Sequence, residues 1–177
     1  MFIQTQETPN PNSLKFIIGK GVSNDGPYEF LNEKQTNIPL LKNILTIRGV
    51  TGIFLSEDFL SINKSQDEKW ENIKHIVISL LNEYYEEGNE FIINKQSTLG
   101  DQKDFGEIEN KIIKILETKI RPAVARDGGD ITFKEFKDGK VTVMLKGSCS
   151  GCPSSTLTLK QGVQNLLCHY IPEVKEV

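Results

Sequence analysis

The stretch Val141-Thr142-Val143-Met144-Leu145-Lys146-Gly147-Ser148-Cys149-Ser150-Gly151-Cys152-Pro153 decides how the chain is read. Residues 141–145 alternate as a half-buried strand does. Downstream, Leu159, Val163, Leu166 and Leu167 recur at helical spacing. The Cys-x-x-Cys pair therefore falls on a strand-to-helix loop. Pro153 suits the first helical position, where a missing N–H costs nothing, and this makes Cys152 the predicted N-cap. The unpaired N–H groups and dipole of a helix start favour negative charge. Both thiols are expected to have lowered pKa values there, giving thiolates that bind metal or attack disulfides. Gly147 and Gly151 carry no side chain, so backbone amides can approach the sulfurs.

Working outward, Asp138-Gly139 between strands 131–136 and 141–145 is a two-residue hairpin signal. Asp127-Gly128-Gly129-Asp130 reads as a turn. Before it, Ile108, Ile112, Ile115, Leu116 and Ile120 form a helical stripe expected to stop near Pro122. After the cysteine loop, the last helix is expected to end before Pro172, leaving a short tail. This gives the order helix, strand, strand, helix over 104–177, a domain small enough to benefit from a bound ligand or partner. Residues 94–103 are polar, lack apolar periodicity and read as a flexible linker, with Phe91-Ile92-Ile93 at its edge.

Residues 1–93 show a second pattern. The apolar runs 2–6 and 14–18 flank the turn-forming Thr8-Pro9-Asn10-Pro11-Asn12-Ser13 and read as two strands. Residues 19–37, rich in Gly, Asn and Asp, are expected to be irregular. A helix opens at Pro39 and ends at Gly49. Strands Val50 to Leu55 and Phe59 to Asn63 follow, turned at Glu57-Asp58. A long helix spans about Trp70 to Glu87, with Gly88 as its C-cap. Four strands and two helices make a small domain. The fold class is α+β, in two domains.

Composition narrows the function. The chain has 177 residues, 37% hydrophobic and 25% charged, as a soluble globular protein does. A net charge of −3 gives no electrostatic reason for nucleic-acid binding. No apolar run approaches the ~20 residues of a membrane helix. The N-terminus lacks the features of a signal peptide or an import leader. Three cysteines, an odd number, argue for a reducing compartment. The expected location is the bacterial cytoplasm, or the mitochondrial matrix for a mature form.

One Cys-x-x-Cys is half a closed metal site, since zinc and iron–sulfur centres take four protein ligands. The chain offers no second Cys-x-x-Cys and no Cys-x-x-His. A two-fold dimer contributing the same loop twice is the simplest completion. Iron–sulfur binding, zinc binding and thiol–disulfide exchange all stay open on spacing alone. Cys168 beside Leu166 and Leu167 reads as a buried structural thiol. His169 and His75 read as surface residues, and Trp70 and the Ile stripe as core. Asp127 and Asp130 lack the further oxygen ligands of a calcium loop.

Two motif sets resemble known families. Arg121-Pro122, Asp127-Gly128-Gly129-Asp130, Gly147 to Ser155 and Ile171-Pro172-Glu173-Val174 are similar to the NifU-like C-terminal domain. Met1 to Phe16 resembles the N-terminal domain of Nfu proteins. The resemblance implies an iron–sulfur carrier rather than an enzyme. It implies a [4Fe–4S] cluster held between two protomers, with Cys149 and Cys152 as ligands in each. It further implies an upstream cluster assembly scaffold as donor. The recipients would be apoproteins such as lipoyl synthase or aconitase-type enzymes. The N-terminal domain would supply no cluster ligand and would modulate partner contact.

Overall fold

A computed structural model describes residues 1–94 and 105–177, with the side chains of 153–155 not described. The chain divides into two compact units, Met1–Thr98 and Leu99–Val177. The expected linker, 94–103, lies outside the described residues apart from Asn94.

In the first unit, β1 (Gln4–Glu7), β2 (Ser13–Ile17), β3 (Tyr28–Phe30), β4 (Val50–Leu55) and β5 (Phe59–Lys64) form one antiparallel sheet in the order β1-β2-β5-β4-β3. The register sets Leu14 and Ile53 on either side of Ile62, and Phe16 and Leu55 on either side of Leu60. These six residues share one face and are buried. Helices α1 (Pro39–Leu45) and α2 (Trp70–Glu86) complete this core with Leu40, Leu41, Ile44, Ile73, Val77 and Leu81.

The sheet has five strands where four were expected. The extra strand, β3, and a short 3-10 turn, Glu33–Gln35, fall in the segment expected to be irregular. A three-residue strand is too short to show alternation, and its Gly- and Asn-rich flanks hide it. The same segment is anchored by Val22, whose N–H donates to Glu57 O and whose carbonyl accepts from Ile92 and Ile93. Ile92 and Ile93 thus belong to this core, not to a linker edge. Trp70 is only half-buried, and its Nε1 donates to Pro11 O at 3.0 Å.

The second unit contains α3 (Glu107–Ile115), α4 (Arg121–Arg126), β6 (Gly129–Lys137), β7 (Lys140–Gly147) and α5 (Pro153–Tyr170). Ile112, Leu116, Ile120 and Val124 are buried with Ile131, Val141, Val163, Leu167 and Ile171. Asp138 and Gly139 both take positive φ, 52° and 82°, as the hairpin turn requires. The tail is tied down: Lys175 and Glu176 donate to Gly139 O, and Val141 donates to Glu176 O.

The first helix does not stop near Pro122. Residues Leu116–Ile120 form a wide π turn, in which the Arg121 N–H reaches back to Leu116 O, and the helix then runs on to Arg126. Pro122 has no N–H to give to a regular helix. Placed just after the wide turn, it takes an N-terminal position of α4, where none is needed.

Candidate metal centre

The cysteine loop is a short bridge with each turn tied. Gly147 and Gly151 take φ of 69° and 83°, the left-handed region that a residue with a Cβ seldom enters. The Ser150 N–H and hydroxyl both reach Gly147 O, at 3.1 and 2.9 Å. Thr156 Oγ1 donates to Cys149 O at 3.2 Å, and the Thr156 N–H donates to Cys152 O at 3.0 Å. Cys152 is the N-cap of α5, as the sequence predicts, with extended φ and ψ of −108° and 109°.

The two thiols sit differently. Cys152 is half-buried, whereas Cys149 is only 7% exposed and packs in the core of the unit. The expectation of a lowered Cys149 pKa is overturned. Burial pushes this thiol up, since a thiolate loses its water there. The Ser148 hydroxyl partly offsets the effect, while the charges of Asp127 and Asp130 add to it. Cys149 stands three residues before the N-cap of α5. It belongs to the end of the hairpin more than to the helix dipole, which acts within the first turn.

Asp127-Gly128-Gly129-Asp130 forms the seat of this loop. Gly128 takes a φ of 83°, the turn glycine expected. Gly129 has a separate reason to be glycine: an ideal Cβ there would stand 2.6 Å from Lys146 O and 2.8 Å from Cys149 Sγ. The Ser148 N–H donates to Gly128 O at 3.2 Å, and its hydroxyl donates to Asp127 O. Asp130 is held by Arg121, whose Nε lies 2.8 Å from Oδ1 and Nη2 3.2 Å from Oδ2. The two aspartates therefore do not converge as a cation site.

Arg121, Gly129 and Ser148 stood in the quoted motifs without a role, and Thr156 was not singled out: the first two are parts of the seat, and Ser148 and Thr156 are ties of the loop. The doubled glycine was the available signal. One glycine makes the turn, so the second needs a close approach to explain it.

The other thiol is elsewhere. Cys168 follows Cys152 by 16 residues on α5, roughly 24 Å along a helix. It is half-buried rather than fully buried as expected. His169 is exposed beside Tyr170, and His75 is exposed on α2. Among the described residues no group of three or more His, Cys, Asp or Glu side chains could hold a metal ion. Nor is any helix among them long and apolar enough to cross a membrane.

The family model described as scaffold protein Nfu/NifU N terminal matches residues 3–88. The NifU-like domain model matches residues 112–177. The human protein named "NFU1 iron-sulfur cluster scaffold homolog, mitochondrial" is 40% identical over all of this chain and 71% of its own length. The chain belongs to the Nfu family. "NifU-like protein 4, mitochondrial" of Arabidopsis thaliana is likewise 40% identical over the whole chain, which spans 65% of that relative's length. The solution structure of a NifU-like protein from Saccharomyces cerevisiae is 31% identical, with a TM-score of 0.49. It covers 54% of this Nfu chain and 87% of its own.

Proposed function

We propose that this Nfu chain is a scaffold and carrier of iron–sulfur clusters, with Cys149 and Cys152 as its ligands. The observation that carries the reading is the tied loop bearing two thiols at the start of an 18-residue helix. Among the described residues no group of three or more His, Cys, Asp or Glu side chains could hold a metal ion within one chain. One chain then supplies two of four ligands. Two loops related by a two-fold axis hold a [4Fe–4S] cluster, which is cargo and not a resident cofactor. The free N–H groups of two α5 N-termini offset part of its negative charge.

Delivery is ligand exchange without catalytic turnover. A thiolate of the recipient bonds to a cluster iron, and a carrier thiolate leaves and takes up a proton. Cys152, the more exposed ligand, goes first, and Cys149 then returns to its seat. Recipients are iron–sulfur apoproteins, of which lipoyl synthase and aconitase-type enzymes are the examples the family suggests. The donor is an upstream assembly scaffold. The first unit contributes no ligand and contacts partners. The relatives' names carry the word mitochondrial, which favours the mitochondrial matrix over the bacterial cytoplasm as the place of action. Thiol–disulfide exchange is the rival reading, and a thiol pushed up by burial is a weaker nucleophile for it.

Anaerobic reconstitution with iron and sulfide tests the proposal. The wild-type chain should bind about 2 iron atoms per protomer, half of a shared four-iron cluster, and run as a dimer. Cys149→Ala and Cys152→Ala should stay colourless yet folded, and Cys168→Ala should load normally. A cluster on a monomer, or loading lost only in Cys168→Ala, would overturn the assignment.

A further inference from the structure

The Cys149 sulfur rests against a wall that has no side chain. Only hydrogen fits between the Gly129 α-carbon and that sulfur, given the 2.8 Å an ideal Cβ would leave. Gly129 pairs in register with Gly147, and the next pair, Asp130 with Lys146, continues the ladder. Backbone pairing fixes Gly129 on the side facing β7. On its other side the chain runs through the buried Gly128 to Asp127, the C-cap of α4.

The Arg121–Asp130 pair supplies a second fixed point. The Asp130 side chain is 7% exposed and accepts from two nitrogens of one guanidinium. A planar fork against a carboxylate fixes direction as well as distance, and shielding from water strengthens it. Arg121 itself follows the wide turn and opens α4. The pair therefore ties a helix start to the residue adjoining Gly129. Movement of Gly129 away from the sulfur would break the fork or the first pairs of β6 with β7.

We infer that Arg121 and Asp130 are positioning residues for Cys149. Their pair holds Gly129 against the sulfur, and this sets how readily the thiol leaves its seat to meet a cluster. The consequence for loading rests on the function proposed above, but the positioning of the thiol does not.

The test uses the full chain. Arg121→Lys keeps both charges and removes the planar fork. Asp130→Glu, which also keeps both charges and displaces the carboxylate, is the second variant, in case the first refolds poorly. Each folded protein is alkylated with iodoacetamide at one pH, and labelling at Cys149 and Cys168 is followed separately by peptide mass spectrometry. Both thiols adjoin the same core, so a general loosening moves both. Arg121→Lys should speed labelling of Cys149 about tenfold, the worth of one charge-assisted hydrogen bond, with Cys168 nearly unchanged. Asp130→Glu should do so comparably. Equal acceleration of the two thiols, or an unmoved Cys149, would overturn the inference. Reconstitution of the same samples separates the two ideas. A wild-type chain that takes no cluster defeats the proposed function and leaves the positioning standing. A loaded wild type beside an Arg121→Lys chain with slow, wild-type labelling of Cys149 defeats the positioning alone.

Discussion

Gly129→Ala puts the seat of the cysteine loop under direct strain. The added methyl group would lie 2.6 Å from the Lys146 carbonyl oxygen, 2.8 Å from Cys149 Sγ and 3.2 Å from Cys149 N. The sulfur can rotate away, but the carbonyl belongs to the paired strand and can move only with it. Overpacking of this kind costs about 1–3 kcal/mol. A stiffer unfolded chain returns about 0.4–1 kcal/mol for a Gly-to-Ala change. A net loss of about 1–2 kcal/mol follows, which in a unit this small lowers Tm by about 5–15 °C. The assay has a built-in control. Trp70 is the only tryptophan and lies in the first unit. Its fluorescence should keep the wild-type melting profile, while the far-UV circular dichroism of the chain gains an earlier transition. An unchanged dichroism melt would show that position 129 has room to spare, and the close-approach argument would fail. A Trp70 transition that fell in step would show that the two units do not melt separately.

Two further outcomes are expected. Burial holds the Cys149 pKa above its ordinary value, so the unfolded thiol loses its proton first. The stabilising contribution is therefore complete below the unfolded pKa of about 8.5, and it declines as pH rises from there through the raised folded value. Urea midpoints between pH 7 and 9.5 should fall more steeply for wild type than for Cys149→Ala, and parallel slopes would contradict the buried-thiol picture. In the first unit, Trp70→Phe removes the indole bond to Pro11 O and should cost about 1 kcal/mol, read by dichroism in urea. A loss within error would mean that solvent replaces that bond without penalty.

The sequence disclosed most where local chemistry and burial agree. Pro153 after Cys152, Asp138-Gly139 between alternating runs, and the α2 stripe from Ile73 to Leu81 each carry their structure in a few residues. The strand β3 did not show because three residues cannot display a period, and its pairing partner β4 lies 20 residues away. Pro122 misled for a different reason. Its rule describes a regular helix, and the chain widened one turn instead of stopping. The cysteine pair was legible as a loop at a helix start, but the unequal burial of its two thiols was not. That difference arises from β6, which approaches Cys149 from 20 residues earlier in the chain. Only the second glycine of Asp127-Gly128-Gly129-Asp130 hinted at it.

The wide turn at Leu116–Ile120 also governs angular phase along its helix. Ile112, Leu116, Ile120 and Val124 recur every four residues, and all four are buried. Around a regular helix a four-residue repeat drifts by about 40° per step, so three steps would carry Val124 about 120° away from Ile112. A turn that takes more residues to close slows that drift and brings Val124 back toward the apolar side. It also aims Arg121 at Asp130. Glu117, Thr118 and Lys119 are exposed there, so the core depends on their number more than on their identities. Shortening the segment by one residue would rotate Val124 and Arg121 together, removing a core contact and the anchor beside the Cys149 seat in a single step.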